Sequence, residues 1–240
     1  MNDTKIEWTD KTWNPITGCS GISPGCNNCY ARRLATRLRG RSGYHATHPF
    51  RVTVHAKRFG QPLKWKKACR IFVCSMGDLY HPDVPSRARR DVWRVIHKCP
   101  QHTFFILTKR PLHISSHDWL DDTLHPPHHV LVGVSIESAS EQYRLRHLRA
   151  SPAGRLFLSC EPLLGPLDLS HYLCLADRPI EQVIVGGETG PGARPMDLDW
   201  ARDIRDQCLS ANVPFFFKSP GGHPKPPDRT LDGRLWEQFP

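Results

Sequence analysis

Apolar residues gather in short runs along this chain, and stretches with helical spacing separate them. Eight runs read as strands: Pro15 to Thr17, Arg51 to Val54, Ile71 to Ser75, Thr103 to Thr108, Val130 to Ser135, Leu156 to Cys160, Val183 to Gly186 and Val213 to Lys218. Phe104-Phe105-Ile106-Leu107 and Val183-Ile184-Val185 are apolar without alternation, the pattern of strands covered on both faces of a parallel sheet.

The intervening stretches carry helix signals. Tyr30 to Arg39 has helical character, and Ser86 can cap a helix whose Ala88, Val92, Val95, Ile96 and Cys99 form one stripe. Ser138 with Glu141 three residues on reads as a capping box ahead of Leu145 and Leu148. Trp200, Ile204, Cys208 and Ala211 repeat the spacing until Asn212 and Pro214 stop it. Strands alternating with helices predict an α/β fold, and about eight units in a chain of this length predict a (β/α) barrel, complete or partly open. A doubly wound open sheet is the competing arrangement. The barrel domain is expected over residues 1–218, followed by a tail over 219–240 that opens on the Pro/Gly-rich stretch Ser219 to Asp228.

Composition sharpens this picture in two ways. No uninterrupted apolar run is long enough to cross a bilayer and no apolar leader precedes Ile6, so a reduced, cytoplasmic protein with free thiols is expected. The formal charge of +10 comes from clustered basic residues: Arg32, Arg33, Arg37, Arg39 and Arg41, then Lys57 to Arg70, then Arg87 to Arg94. Such clusters attract polyanions, which makes a nucleic acid or nucleotide a plausible partner. Each run taken singly also fits a solvated helix face.

Chemistry enters with three cysteines packed as Cys19-x6-Cys26-x2-Cys29 just before the first helix signal. Three thiolates can hold a four-iron cluster with one iron left for a small chelating molecule. A structural zinc site would need a fourth ligand, and the nearest histidines, His45 and His48, would have to fold back to supply it. Cys74, Cys99 and Cys208 instead read as small buried hydrophobes.

Nearly every strand-like run ends in residues able to do chemistry: Ser75 to Asp78, Thr108-Lys109-Arg110, Ser135-Ile136-Glu137, Ser159-Cys160-Glu161-Pro162, Gly186-Gly187-Glu188 and Phe217-Lys218. In a β/α fold the C-terminal strand ends form the mouth of the active site, and the cysteine loop would open on the same rim. Gly186-Gly187 there suggests close backbone approach to a ligand.

Further motifs accompany these: Ile6-Glu7-Trp8-Thr9-Asp10, Trp13-Asn14-Pro15, Cys26-Asn27-Asn28-Cys29-Tyr30, Leu107 to Pro111, Gly133 to Glu137, Glu161 to Pro166, Val185 to Gly190 with Ala193-Arg194-Pro195, and Leu231 to Arg234. Together they resemble an uncharacterised, often phage-borne family marked by three cysteines. A more distant resemblance is to radical S-adenosylmethionine enzymes, whose barrels bind a [4Fe-4S] cluster through three cysteines after the first strand. Their usual pattern is C-x3-C-x2-C, and the first gap here is longer. The closing Cys26-x2-Cys29-Tyr30 resembles the end of the cluster loop in spore photoproduct lyase, a DNA-repair member.

The distant resemblance implies that Cys19, Cys26 and Cys29 bind the cluster, S-adenosylmethionine chelates the open iron, and an external donor supplies the electron. Reductive cleavage would then give a 5'-deoxyadenosyl radical that takes hydrogen from the substrate. On this reading Asp78, Lys109, Ser135 and Glu137 contact the cofactor, Arg110 and Arg194 contact an anionic substrate, and Glu161, Glu188 and Lys218 are the catalytic candidates. Internal salt bridges among these charges are the competing explanation for each. The alternative function is a zinc-stabilised nucleic-acid-binding protein without turnover. His125-Pro126-Pro127-His128-His129 reads as a Pro-rich loop before a strand rather than a metal site. Trp65, Trp93 and Trp119 suit packing better than base stacking.

Overall fold

Strand pairing follows chain order. In the computed structural model, which describes residues 4–118, 127–224 and 229–240, seven parallel strands form one sheet. They are β1 (Lys11–Trp13), β2 (Arg70–Val73), β3 (Thr103–Thr108), β4 (Val130–Ser135), β5 (Arg155–Cys160), β6 (Ile180–Gly186) and β7 (Phe215–Ser219). Each pairs with the next, and β1 and β7 stand at the two edges, so the sheet is an open half-barrel rather than a closed ring. The helices are α1 (Tyr30–Arg37), α2 (Ser86–His97), α3 (Tyr143–Ala150), α4 (Ser170–Leu173) and α5 (Leu198–Ser210).

Two of the expected strands lie outside this sheet. Ile16–Thr17 pairs antiparallel with Thr53–Val54 as a small two-stranded sheet, so the runs at Pro15 to Thr17 and Arg51 to Val54 are not barrel strands. The true first strand, β1, spans three residues and has one apolar side chain, the fully buried Trp13, which is too short to give a periodic signal. Helix starts differ as well. Ser86 lies inside the first turn of α2 and makes no cap, with Pro85 in the flanking position. The Ser138 hydroxyl donates to the Glu141 carboxylate at 2.7 Å instead of accepting from a backbone amide, and α3 begins only at Tyr143. α5 is properly capped, by the Asp197 carboxylate accepting from the Asp199 amide.

Alternation along the strands sorts the core into two layers. Ile71, Val73, Phe104, Ile106, Leu156, Leu158, Val183 and Val185 face outward onto α2, α3 and α5, whose Val92, Ile96, Leu145, Leu148, Ile204 and Cys208 complete the larger core. Phe72, Phe105, Leu131, Phe157, Ile184 and Phe216, one from each of β2 to β7, face the inside of the half-barrel. Trp8 plugs this inner layer, 4.7 Å from Phe72, 5.5 Å from Phe105 and 6.3 Å from Phe157 between ring centres. Full burial of that many rings dominates the local stability.

The free edge of β7 is covered. Trp236 carbonyl accepts from the Phe217 amide at 3.0 Å, the Gln238 amide donates to the Phe215 carbonyl at 3.2 Å, and the Gln238 side-chain oxygen accepts from the Phe215 amide. This caps a row of backbone groups that would otherwise template further pairing.

Cys74, Cys99 and Cys208 are buried, Trp93 is fully buried, and Trp65 packs on the outer core, so these residues serve packing. His129 is buried with its Nε2 donating to the Ile96 carbonyl. Trp119, His125 and Pro126 lie outside the described residues. Among the described residues no helix is long and apolar enough to cross a membrane.

Candidate active site at the C-terminal strand rim

A cavity of about 640 Å³ opens at the C-terminal ends of the strands. Trp8, Phe72 and Leu107 line its apolar part, directly above the aromatic layer. Cys19, Cys26 and Cys29 all line it as free thiols. The sequence-derived residues Asp78, Lys109, Arg110, Ser135, Glu161, Glu188 and Lys218 line the same cavity. Glu137 and Arg194 are not on its wall, although both bond residues that are.

Three carboxylates, from the loops after β2, β4 and β6, fasten the cysteine loop at three points. After β2, the buried Asp78 accepts from Thr108 Oγ1 at 2.7 Å, from the Lys109 amide at 3.2 Å and from Arg110 Nη1 at 3.1 Å. Arg110, so held, approaches Cys19 Sγ at 3.4 Å and donates through Nη2 to the Ser20 carbonyl at 2.8 Å. Burial pushes the Cys19 thiol up to about 11, with the Asp78 charge adding to the rise and Arg110 opposing it.

The Glu137 side chain, after β4, is fully buried between Lys109 and Arg144, with Arg144 Nη1 at 2.8 Å. It also accepts from Ser23 Oγ at 2.8 Å. The loop packs so closely on it that a Cβ at Gly25 would sit 2.5 Å from Glu137 Oε1, which requires glycine there. Burial holds the Lys109 ammonium down to about 8. For Cys26, burial acts upward, but the Lys109 charge and bonds from Ser23 and the Ile22 backbone bring the net shift below the ordinary thiol value.

After β6, Glu188 is almost fully buried and takes both arms of Arg194, Nε at 2.9 Å and Nη2 at 2.5 Å. It also accepts from Asn28 Nδ2 at 2.9 Å, and Arg194 Nη2 reaches the Pro24 carbonyl at 2.9 Å. Burial alone would raise the Glu188 carboxyl, but these donors hold it down to about 2.

A fourth pair faces the cavity from β5 and β7. Lys218 Nζ lies 2.8 Å from Glu161 Oε1, and a Cβ at Gly186 would come within 2.6 Å of the same oxygen. Gly186 therefore admits the Glu161 carboxylate rather than a ligand. Burial acts to lower the Lys218 ammonium, and the charges of Glu161 and Glu7 outweigh it, so the net shift is upward.

Three further participants stood in motifs that the sequence displays but were given no site role there. Asn28 stands between two cysteines, Arg33 donates from α1 to the Thr189 carbonyl at 2.5 Å, and the buried Ser159 hydroxyl lines the cavity with no hydrogen-bond partner. Ser159 is paired in register with Ser135, so one expected rim serine marks the next. Tyr30 directs its phenol to the Ser75 carbonyl at 2.5 Å.

Residues 3–240 match the family described as "Protein of unknown function (DUF5131)". The chain belongs to that family. No curated protein matches the sequence. Among solved structures, it is similar to spore photoproduct lyase complexed with dinucleoside spore photoproduct, with 13% identity, a TM-score of 0.56, and coverage of 92% of this chain and 78% of that one. It is also similar to a mutant of that lyase with dinucleoside spore photoproduct at 15% identity and TM-score 0.54, covering 92% of this chain and 78% of that one. A further mutant with bound AdoMet and the dinucleoside aligns at 14% identity and TM-score 0.52 over 86% of this chain and 63% of that one. At this identity the likeness establishes a shared half-barrel fold.

Proposed function

We propose that this DUF5131 protein is a radical S-adenosylmethionine enzyme with a [4Fe-4S] cluster held by Cys19, Cys26 and Cys29, acting on a nucleic acid or nucleotide. The observation that carries the reading is the convergence of three free thiols, and of carboxylates and bases from five strand ends, on one rim cavity. The donor set fits the cluster. Among the described residues no three or more His, Cys, Asp and Glu side chains, the three cysteines included, are drawn together as a ready metal site, so the fit rests on the number and kind of donors on the cavity wall. Three thiolates with room for an exogenous chelator match a cluster with one open iron. When bound, the cluster and S-adenosylmethionine supply one-electron reductive cleavage at the sulfonium.

The residues of the chain then divide the remaining work. Lys109 places positive charge beside Cys26 and favours its thiolate, while at Cys19 Arg110 only partly offsets the burial that favours the thiol. Ser135 and the unpartnered Ser159 offer hydroxyls to a polar ligand in the cavity. Glu161 and Lys218, paired at the β5 and β7 ends, are placed to hold substrate or carry a proton. Trp8 and the aromatic layer give the cavity an apolar wall. Arg32, which lines the cavity from α1, suits an anionic substrate. The spore photoproduct lyase structures, which bind AdoMet or a dinucleoside photoproduct, support the same assignment by shared fold.

The test is anaerobic purification with iron and sulfide analysis, followed by an assay for 5'-deoxyadenosine from S-adenosylmethionine and a reductant. About four irons and four sulfides per chain and release of 5'-deoxyadenosine are expected. Stoichiometric zinc without iron would replace this reading with the non-catalytic zinc protein.

A further inference from the structure

The segment 187–195 is held against the cysteine loop and α1 by five hydrogen bonds that involve Pro24, Asn28 and Arg33. Glu188 accepts from Asn28 at 2.9 Å, and Asn28 also donates to the Gly192 carbonyl at 2.8 Å. Arg194, fixed by Glu188, donates to the Pro24 carbonyl. From the helix that follows the cysteines, Arg33 donates to the carbonyls of Thr189 and Pro191, at 2.5 and 3.1 Å. Gly190 makes that approach feasible: it has φ +94°, and a Cβ there would fall 2.2 Å from Arg33 Nη2.

The segment is itself anchored away from the cysteines. The Gly187 amide donates to the Ser219 carbonyl at 3.0 Å, the Gly190 amide to Gly222 at 3.2 Å, and the Gly222 amide to Glu188 at 2.7 Å. One end is thus tied to the extension of β7 and the other grips both flanks of the Cys26-x2-Cys29 turn.

We infer that segment 187–195 is a brace that sets Cys26 and Cys29 in place before any metal arrives, with Glu188, Arg194 and Asn28 as positioning residues. Glu188 and Arg194 then act through the cysteine loop and not on the substrate. A short Gly-rich loop left to itself would sample many conformations, and each would have to be ordered when ligands are gathered. Fixing the turn beforehand removes that cost from metal binding. The inference rests on the proposed ligand set for its purpose, but its geometry holds whichever metal the thiols take.

The test follows thiol reactivity in the metal-free, folded protein under anaerobic conditions. N-ethylmaleimide labelling is timed and each cysteine is read by peptide mass spectrometry, for the wild type, Glu188→Ala, Arg194→Ala, the double variant and Gly190→Ala. Cys26 and Cys29 are expected to label about tenfold faster in every variant, the scale of one charge-assisted hydrogen bond. Cys19, held separately by Arg110, should change by no more than about twofold on the same reasoning. The double variant should match the single ones, since the pair acts as a unit. Glu188→Gln, which keeps an acceptor for Asn28, should restore part of the protection.

Unchanged rates at Cys26 and Cys29 would overturn the brace. So would an equal rise at all cysteines including buried Cys160, which signals general loosening. If Glu188→Ala does not fold, Arg194→Ala, whose side chain is 35% exposed, decides the matter alone. Metal analysis runs in parallel: no iron in the wild type with selective release of Cys26 and Cys29 in the variants would sink the cluster and leave the brace standing.

Discussion

At the ends of β2, β4 and β6 the carboxylates of Asp78, Glu137 and Glu188 each bind a basic partner and reach a different part of the cysteine loop. At the ends of β5 and β7 Glu161 and Lys218 instead pair with one another beside the cavity. The same residue types thus do two jobs on one rim. On the first side charge is consumed in building a loop from a segment too rich in glycine and proline to order itself. On the second it remains next to the open space, where a ligand can meet it. Role follows from what each carboxylate already holds, which residue type and strand end alone do not reveal.

The strongest break of this contrast is Cys26→Ala. Iron in the anaerobically purified protein should fall from about four per chain to near none, while the melting temperature moves little because Cys26 lies outside the core. Next in size is Glu137→Gln. It leaves Arg144 buried against a neutral amide, and the loss of a buried partner costs about 3–5 kcal/mol. For a domain this large that lowers the melting temperature by roughly 10 °C, as scanning calorimetry would register.

Lys218→Met tests the other side. It should cost about 2 kcal/mol by leaving Glu161 without its partner, yet iron content and the labelling rates of Cys26 and Cys29 should stay at wild-type levels. Iron loss in this variant would erase the division between the two sides. The smallest effect is a pH dependence at Glu188. Its carboxyl is held down to about 2, against an ordinary 4.5, so the bonds it makes stabilise the fold fully above pH 4.5 and are lost as pH falls towards 2. Glu188→Gln, which removes the charge, should therefore lower the melting temperature at neutral pH and converge on the wild type as pH falls towards 2, flattening the acid limb in that window.

Six of the seven sheet strands were legible because each holds an apolar run of three or more residues, the signature of strands buried on both faces. β1 was not, because three residues with a single Trp13 inward carry no period. The pairing of Ile16–Thr17 with Thr53–Val54 was equally hidden, since two-residue strands are set by the loops that meet there. Within the site, cysteine spacing and polar strand ends pointed to residues that the structure gathers on one rim. Asn28, Arg33 and Ser159 stood in the cysteine motif, a basic cluster and a strand end, but local sequence assigned none of them a partner, since each meets or lacks one only through the fold.

Local pattern by itself determined the α/β class, the chain-order strands and the placing of chemistry at their C-terminal ends, because apolar period and turn residues act over a few neighbours. Only tertiary structure decided that the barrel stays open, which carboxylates are bound up in building the cysteine loop, and which pair is left facing the cavity. Those outcomes depend on contacts between residues more than a hundred positions apart, such as Ser23 with Glu137 and Asn28 with Glu188, and no local period encodes them.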